Sequence, residues 1–336
     1  MTTLHAATAI RARALGAFYG LALGDALGMP TQSMSRSQIL ADYGSIRSFQ
    51  DAGPHQLIAT GMPAGSVTDD TEQAMMLARL LIQGRGRFDA RTFALGLLDW
   101  ERGMEARGSL DLLGPSTKAA VHRLTDGESV ETSGRFGTTN GAAMRITPVG
   151  IAYDLSSMAT FVDAVARASE VTHNTNLGIA SAAAVGAAVS AGVSGASLAE
   201  AINAAIAAAA EGATHGYWMA GGSIAARIRW ATDYLSGMTA AAQTEAVYEV
   251  IGTSVASQES VVAAIALAAT ARDPWETVCL AASIGGDTDT IAAMTGAILG
   301  SVFGVEQWPA DSISTVESVN ALQLTPLVDE LLALRT

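Results

Sequence analysis

Cysteine is nearly missing from this sequence. Cys279 is the only one in 336 residues, which excludes an intrachain disulfide framework and a thiolate metal cluster and fits a reducing cytoplasm. Positive charge is scarce as well: 19 Lys and Arg stand against 32 Asp and Glu, a formal net charge of −13. Such a surface is not built to grip nucleic acid or an anionic membrane. Bound metal ions can still reverse the sign locally and admit one phosphorylated small ligand. There is no Pro/Ser/Gly tract, no block of like charge and no long span of low hydrophobicity. Nothing therefore reads as a linker, and residues 1–336 are expected to form one domain. No repeat of fixed period is visible, which excludes a solenoid.

Two apolar runs are tested against export and membrane readings. Residues 14–24, ALGAFYGLALG, follow Arg11 and Arg13 as a short signal peptide would, but Asp25 and the lack of a small-x-small cleavage context argue against that. Residues 178–199, GIASAAAVGAAVSAGVSGASLA, are uncharged over a length sufficient to span a bilayer. They are rich in Ala, Ser and Gly where lipid-facing helices are rich in Leu, Ile and Phe, so a tightly packed interior helix is the better reading.

What the chain has in abundance is alanine and helical spacing, and the expected class is all-α. Leu15, Phe18, Tyr19 and Ala22 fall at i, i+3, i+4 and i+7 and predict an amphipathic helix running into Gly24 and Asp25. Residues 29–65 read as the longest irregular connection, and long loops in compact domains tend to carry function. Helical spacing resumes at Thr71. It recurs near 88–104, 157–170, 176–192, 197–210, 222–235, 241–252 and 259–271, then from about 275 and from Thr288. Residues 107–117 and 125–141 read as loops, and 142–153 as an apolar piece.

Two of these helices begin on unusual residues. Thr68, Asp69, Asp70 and Thr71 open one; Asp287, Thr288, Asp289 and Thr290 open another. A single Ser, Thr or Asp suffices to cap the unpaired N–H groups of a first turn. Four oxygen-bearing side chains exceed that need, and adjacent carboxylates repel unless a cation or proton lies between them. Hard divalent ions such as Mg²⁺ and Mn²⁺ take carboxylate, hydroxyl and water oxygens, and neither cluster has the Cys or His that zinc prefers. If the two tips meet, Thr68, Asp69, Asp70, Asp287, Asp289 and Thr290 supply enough oxygens for two octahedral ions, and the reaction class becomes metal-assisted hydrolysis. An all-helical phosphohydrolase would show a His-Asp dipeptide, and none of the five histidines is followed by Asp.

Five stretches taken together resemble the ADP-ribosylglycohydrolase family: GLALGDALG at 20–28, TDDT at 68–71, NGAAMRITPVG at 140–150, THNTNLGIA at 172–180 and GGDTDTIAAMTGAILG at 285–300. The resemblance implies a single compact domain of orthogonally packed helices with two Mg²⁺ or Mn²⁺ ions at the bottom of a cleft. Their ligands would be Thr68, Asp69, Asp70, Asp287, Asp289 and Thr290. It further implies ADP-ribose, or an ADP-ribosylated acceptor, as the ligand. A water at the centre would attack the anomeric carbon, with Asp69, Asp70 or Asp289 helping proton transfer.

The turn Asn140, Gly141, Ala142, Ala143, Met144, Arg145 fits a diphosphate contact, its small residues admitting close backbone approach. Arg145 is read either as a phosphate contact or as a structural salt bridge. His173 is implied to lie by the ligand, and Asp25 to brace the site from behind it. Tyr153, Tyr217 and Trp218 are candidates for stacking on adenine. One departure matters: Gln32 stands where many family members carry a glutamate, and an amide is neither a base nor a charge for a cation. Three readings remain: an active ADP-ribosyl hydrolase relying on its aspartates, a hydrolase of another ribosyl compound such as a nucleoside, or a binding relative. Neither the acceptor nor an oligomeric state is written in the sequence.

Overall fold

The computed structural model describes residues 2–106 and 113–335. Its helices are α1 (Thr2–Gly28), α2 (Arg36–Asp42), α3 (Asp69–Gln83), α4 (Ala90–Ala106), α5 (Pro115–Thr125) and α6 (Val130–Ser133). Next come α7 (Gly141–Met144), α8 (Thr147–Ala152), α9 (Met158–His173), α10 (Asn176–Val193), α11 (Leu198–Gly212) and α12 (Ile224–Leu235). The chain continues with α13 (Ala240–Ala246), α14 (Ser257–Ala269), α15 (Pro274–Ala282), α16 (Thr288–Phe303), α17 (Ala310–Asn320) and α18 (Leu324–Leu332). Among the described residues there is no β-strand, only isolated bridges at Met34–Gly286, Thr139–Ala256 and Thr175–Tyr217. The all-α class is thus observed.

The centre of the fold is α1 packed along α16. Gly16, Gly20, Gly24 and Gly28 recur every fourth residue and so line one stripe of α1. The stripe meets the backbone of α16 directly: a Cβ on Gly20 would lie 2.2 Å from the Gly296 carbonyl oxygen, and one on Gly300 would lie 1.9 Å from that of Gly16. Such small-xxx-small spacing lets two helices touch backbone to backbone. It also corrects the expectation of an amphipathic first helix, because α1 is buried on every side from Ala14 to Gly28. A helix enclosed all round has no polar face to reveal. The uncharged α10 is the second interior helix, and 94% of its 18 residues are buried. A smaller apolar cluster, centred on Phe93, Leu97, Val121 and Val171, joins α4, α5 and α9 beside it.

The irregular stretches hold more structure than spacing predicts. Within 29–65, a 3-10 turn at Met29–Thr31 follows α1 directly, and α2 starts at a Ser35–Gln38 capping box. Of the loop expected at 107–117, residues 107–112 lie outside the described residues, while Pro115 is the first residue of α5 behind Gly114. The loop at 125–141 contains α6, and the apolar piece at 142–153 is the pair α7 and α8. Both short helices begin at turns too brief to leave a periodic signal.

Replacing Gly20 by Ala forces a methyl into the α1–α16 contact. Urea unfolding of Gly20→Ala is expected to show a stability loss of about 1–3 kcal/mol with an unchanged slope. An unchanged midpoint would contradict the seam.

Candidate metal centre

The seam ends at the two acidic clusters. A Cβ on Gly28 would lie 2.4 Å from the Asp289 Cα, so the last turn of α1 abuts the first turn of α16. Gly285 and Gly286 precede that turn with φ of 94° and 80°, the left-handed region that glycine adopts without penalty. The Gly286 site is also closed to a side chain, since a Cβ would sit 2.3 Å from the Thr253 carbonyl oxygen. One turn earlier on α1, Asp25 faces the start of α3. Its carboxylate accepts the Thr68 and Thr71 backbone N–H groups at 3.0–3.1 Å and both threonine hydroxyls at 2.8 and 2.5 Å. Asp25 therefore caps α3 from outside. Thr68, in the N-cap position of α3, makes no side-chain capping bond, nor does Asp287 at the start of α16. Capping does not explain either cluster.

The two tips meet. Thr290 Oγ1 donates to Asp70 Oδ2 at 3.3 Å across 220 positions of sequence. Asp69 Oδ2 accepts the Gln73 amide at 3.0 Å, and Asn140 Nδ2 donates to Asp287 Oδ2 at 2.5 Å. Two carboxylate oxygens, Asp70 Oδ1 and Asp289 Oδ1, are buried with no hydrogen-bond partner. Such an atom requires a proton or a cation. Burial, then repulsion from neighbouring carboxylates, holds Asp69, Asp70 and Asp289 well above the usual carboxylate range. Burial lifts Asp25 and Asp287 to about 6, against the hydrogen bonds each accepts. Asp287 keeps some solvent contact on the cleft wall, but its carboxylate is hemmed in by protein and is desolvated like the others. Among the described residues no three His, Cys, Asp or Glu side chains close a metal shell by themselves. An ion here would need the hydroxyls of Thr68 and Thr290 and water as well, a donor set that suits Mg²⁺ or Mn²⁺.

Asp69, Asp287, Asp289 and Thr290 line a cleft of about 290 Å³, together with Gln32, Asn140, Gly141 and Met144. A larger hollow of about 410 Å³ lies between α2 and α15, but it holds none of these residues, so the chemistry belongs to the smaller one. Gln32 is held there by a turn in which Ser33 has φ of 59° and donates its N–H to the Gly286 carbonyl at 2.7 Å. Gln56, itself buried, pins the turn by donating to the Gln32 carbonyl at 2.9 Å.

The turn at 140–145 differs from its sequence reading in detail. Both Asn140 amide hydrogens are engaged, by Asp287 and by Ser260 at 2.8 Å, so its amide holds the cluster. Gly141 is glycine because a Cβ there would lie 2.8 Å from His173 Cε1. Ala142 and Ala143 are buried behind it. Arg145 is fully buried and forms no salt bridge among the described residues; it donates to Gln73 and Thr172. His173, also fully buried, lies beneath Gly141, and burial followed by the charge of Arg145 holds it well below the usual histidine range. Tyr153 is tied to the Gly86 carbonyl, and neither Tyr217 nor Trp218 lines the cleft.

Sequence reasoning passed over Lys118. It is the only lysine in the chain and the only positively charged residue on the cleft wall among the described residues. Its uniqueness was the available signal. Gln73 and Ser260 were missed because each is one polar residue in an ordinary helix.

Comparison with known proteins bears on this arrangement. The model for the ADP-ribosylglycohydrolase family matches residues 6–336. The chain is 34% identical over 312 residues to the uncharacterized protein YegU of Escherichia coli (strain K12), covering 92% of this chain and 93% of that one. It is 26% identical over 325 residues to the ADP-ribosyl-dinitrogen reductase glycohydrolase of Rhodospirillum rubrum, with 96% of each covered. A solved structure described as an ADP-ribosylglycohydrolase-related protein complex superposes with a TM-score of 0.72 at 25% identity, over 97% of this chain and 99% of that one.

A carboxyl whose pKa is higher folded than unfolded binds protons more tightly in the native state, so its stabilisation is present at low pH and is lost as pH rises through the folded value. In chelator, Tm is therefore expected to rise on acidification from about pH 7.5 to about pH 5.5, through the values of Asp25 and Asp287. Added Mg²⁺ or Mn²⁺ is expected to raise it at the higher pH, and Asp287→Asn to flatten the slope. A Tm that falls on acidification and ignores cation would refute the clustered-acid reading.

Proposed function

The chain belongs to the ADP-ribosylglycohydrolase family, and from that premise we propose that it hydrolyses the bond between ADP-ribose and an acceptor. Two Mg²⁺ or Mn²⁺ ions would be held by Thr68, Asp69, Asp70, Asp287, Asp289 and Thr290. The observation that carries this reading is the meeting of two acidic helix starts that cap nothing and leave two buried carboxylate oxygens without partners. When bound, the cations supply positive charge to vicinal ribose hydroxyls and lower the pKa of a water.

The protein groups divide the remaining work. Asp25 fixes the first turn of α3, the turn that carries Asp69 and Asp70. Asn140 and Ser260 hold Asp287 from the other side. Asp289, on the cleft wall, would take the proton of the attacking water, with Asp69 and Asp70 beside it. Gln32 cannot serve as that base, and its Nε2 reaches the Met29 carbonyl at 3.4 Å. Lys118 gives an otherwise acidic cleft the charge that a diphosphate requires. Gln32 also favours a second reading, in which a neutral ribosyl compound such as a nucleoside is the substrate.

The decisive assay supplies Mg²⁺ or Mn²⁺ with ADP-ribosyl-arginine, ADP-ribosyl-serine and a panel of nucleosides, and separates free ADP-ribose or base by chromatography. ADP-ribose release is expected, with Asp289→Asn slower by at least about 100-fold. Release of base alone supports the second reading, and binding of ADP-ribose without turnover overturns both. Lys118→Ala is expected to raise KM for the ADP-ribosyl substrate about tenfold, the loss of one charge-assisted contact, without changing kcat comparably. An unaltered KM would remove Lys118 from the diphosphate site.

A further inference from the structure

Arg145 is the largest of the fully enclosed side chains. Its guanidinium lies 4.9 Å over the ring of Phe93, and Nε has no partner. Nη1 donates to Gln73 Oε1 at 3.1 Å and Nη2 to Thr172 Oγ1 at 2.6 Å. A positive charge of this kind, taken wholly out of water with no ion-pair partner among the described residues and only the more distant charge of Asp69 to favour it, is costly, and ring contact and hydrogen bonds return part of that cost. Its placement therefore calls for a purpose, and the bonds beyond it supply one.

An arginine can only donate, and this fixes the direction of every bond further along. Because the Gln73 oxygen faces Arg145, its amide nitrogen must face Asp69, whose Oδ2 it reaches at 3.0 Å. On the other side, the Thr172 hydroxyl accepts from Nη2 and lies 2.7 Å from His173 Nδ1. If Nδ1 carried a proton, the buried hydroxyl hydrogen of Thr172 would have no acceptor. Nδ1 is thus the acceptor, and the ring proton resides on Nε2, which donates to Thr139 Oγ1 at 2.9 Å. Thr139 adjoins Asn140, the residue that holds Asp287.

We infer that Arg145 is a positioning residue that sets the polarity of a buried hydrogen-bond chain from Asp69 to Thr139, delivering an N–H donor to each end. The Asp69 arm ties up Oδ2 and orients the carboxylate so that its other oxygen serves the cleft. The His173 arm holds the imidazole in its Nε2–H tautomer beneath Gly141. This places Arg145 behind the acidic cluster and gives it no contact with a phosphate. The Asp69 arm rests on the proposed metal reading; the His173 arm does not.

Two variants separate the arms. Gln73→Leu keeps the helix and removes the donor to Asp69 together with the acceptor for Arg145 Nη1; Thr172→Val removes the hydroxyl between Arg145 Nη2 and His173. Mn²⁺ affinity is measured by calorimetry, and the His173 tautomer by two-bond ¹H–¹⁵N correlations, assigned with His173→Gln. The wild type is expected to show Nε2–H. Gln73→Leu is expected to weaken Mn²⁺ binding by about 10–100-fold with the tautomer kept. Thr172→Val is expected to lose the single tautomer while Mn²⁺ affinity changes much less. A protonated Nδ1 in the wild type, or Mn²⁺ affinity unmoved by Gln73→Leu, overturns the inference. If the wild type binds no Mn²⁺, the functional reading falls together with the Asp69 arm, while the tautomer alone decides the His173 arm.

Discussion

Carbonyl oxygens of α1 and α16 resting on each other's glycines determine where everything else in this protein can go. The contact has no side chains to adjust, so the register of one helix on the other is set to within a residue. With Gly28 against Asp289 the last turn of α1 delivers the first turn of α16 to one point, and Asp25, three residues earlier, is aimed at the start of α3. The end of α1, the start of α3 and, some 220 positions further along, the start of α16 thereby meet at one buried point. A seam of larger side chains would hold the helices farther apart and leave the acidic tips facing water, where each would be an ordinary solvated cap.

Dry carboxylates are expensive, and the arrangement around them shows how the fold tolerates them. Asp25 accepts four hydrogen bonds and takes over the capping of α3, which releases Asp69 and Asp70 from that task. Asp69 and Asp287 each have one oxygen tied to an amide. What is left, Asp70 Oδ1 and Asp289 Oδ1, marks the unmet demand for positive charge. Arg145 forms no ion pair with the cluster among the described residues; it stands one residue behind, hydrogen-bonded through Gln73, and its charge and that of Asp69 favour each other across that gap. Under the proposed reading a divalent ion would join the fixed guanidinium in acting on this cluster, and only the ion could come and go with the medium.

Much of this was legible in the residues. The acidic tips were conspicuous because each held more oxygens than a cap needs, and long helices such as α9, α10 and α11 announced themselves by spacing. Other features were hidden for physical reasons. The glycine stripe of α1 lay in plain view at every fourth position, but apolar periodicity registers large side chains and is blind to their absence. Gly141 suggested close approach to a ligand, whereas its missing Cβ makes room for His173. Arg145 left a phosphate contact and a salt bridge both open because a polar residue beside a cleft motif looks the same in sequence whether it faces the cleft or the core. Direction, unlike proximity, is decided by packing between segments far apart in the chain.

The central claim is that the two helix tips hold divalent ions between them, and anomalous diffraction from a crystal soaked in Mn²⁺ tests it most directly. Two peaks are expected, within about 2–2.5 Å of oxygens that include Asp70 Oδ1 and Asp289 Oδ1. A saturating soak that leaves this cluster without a peak, or that puts manganese only in the hollow between α2 and α15, would contradict it.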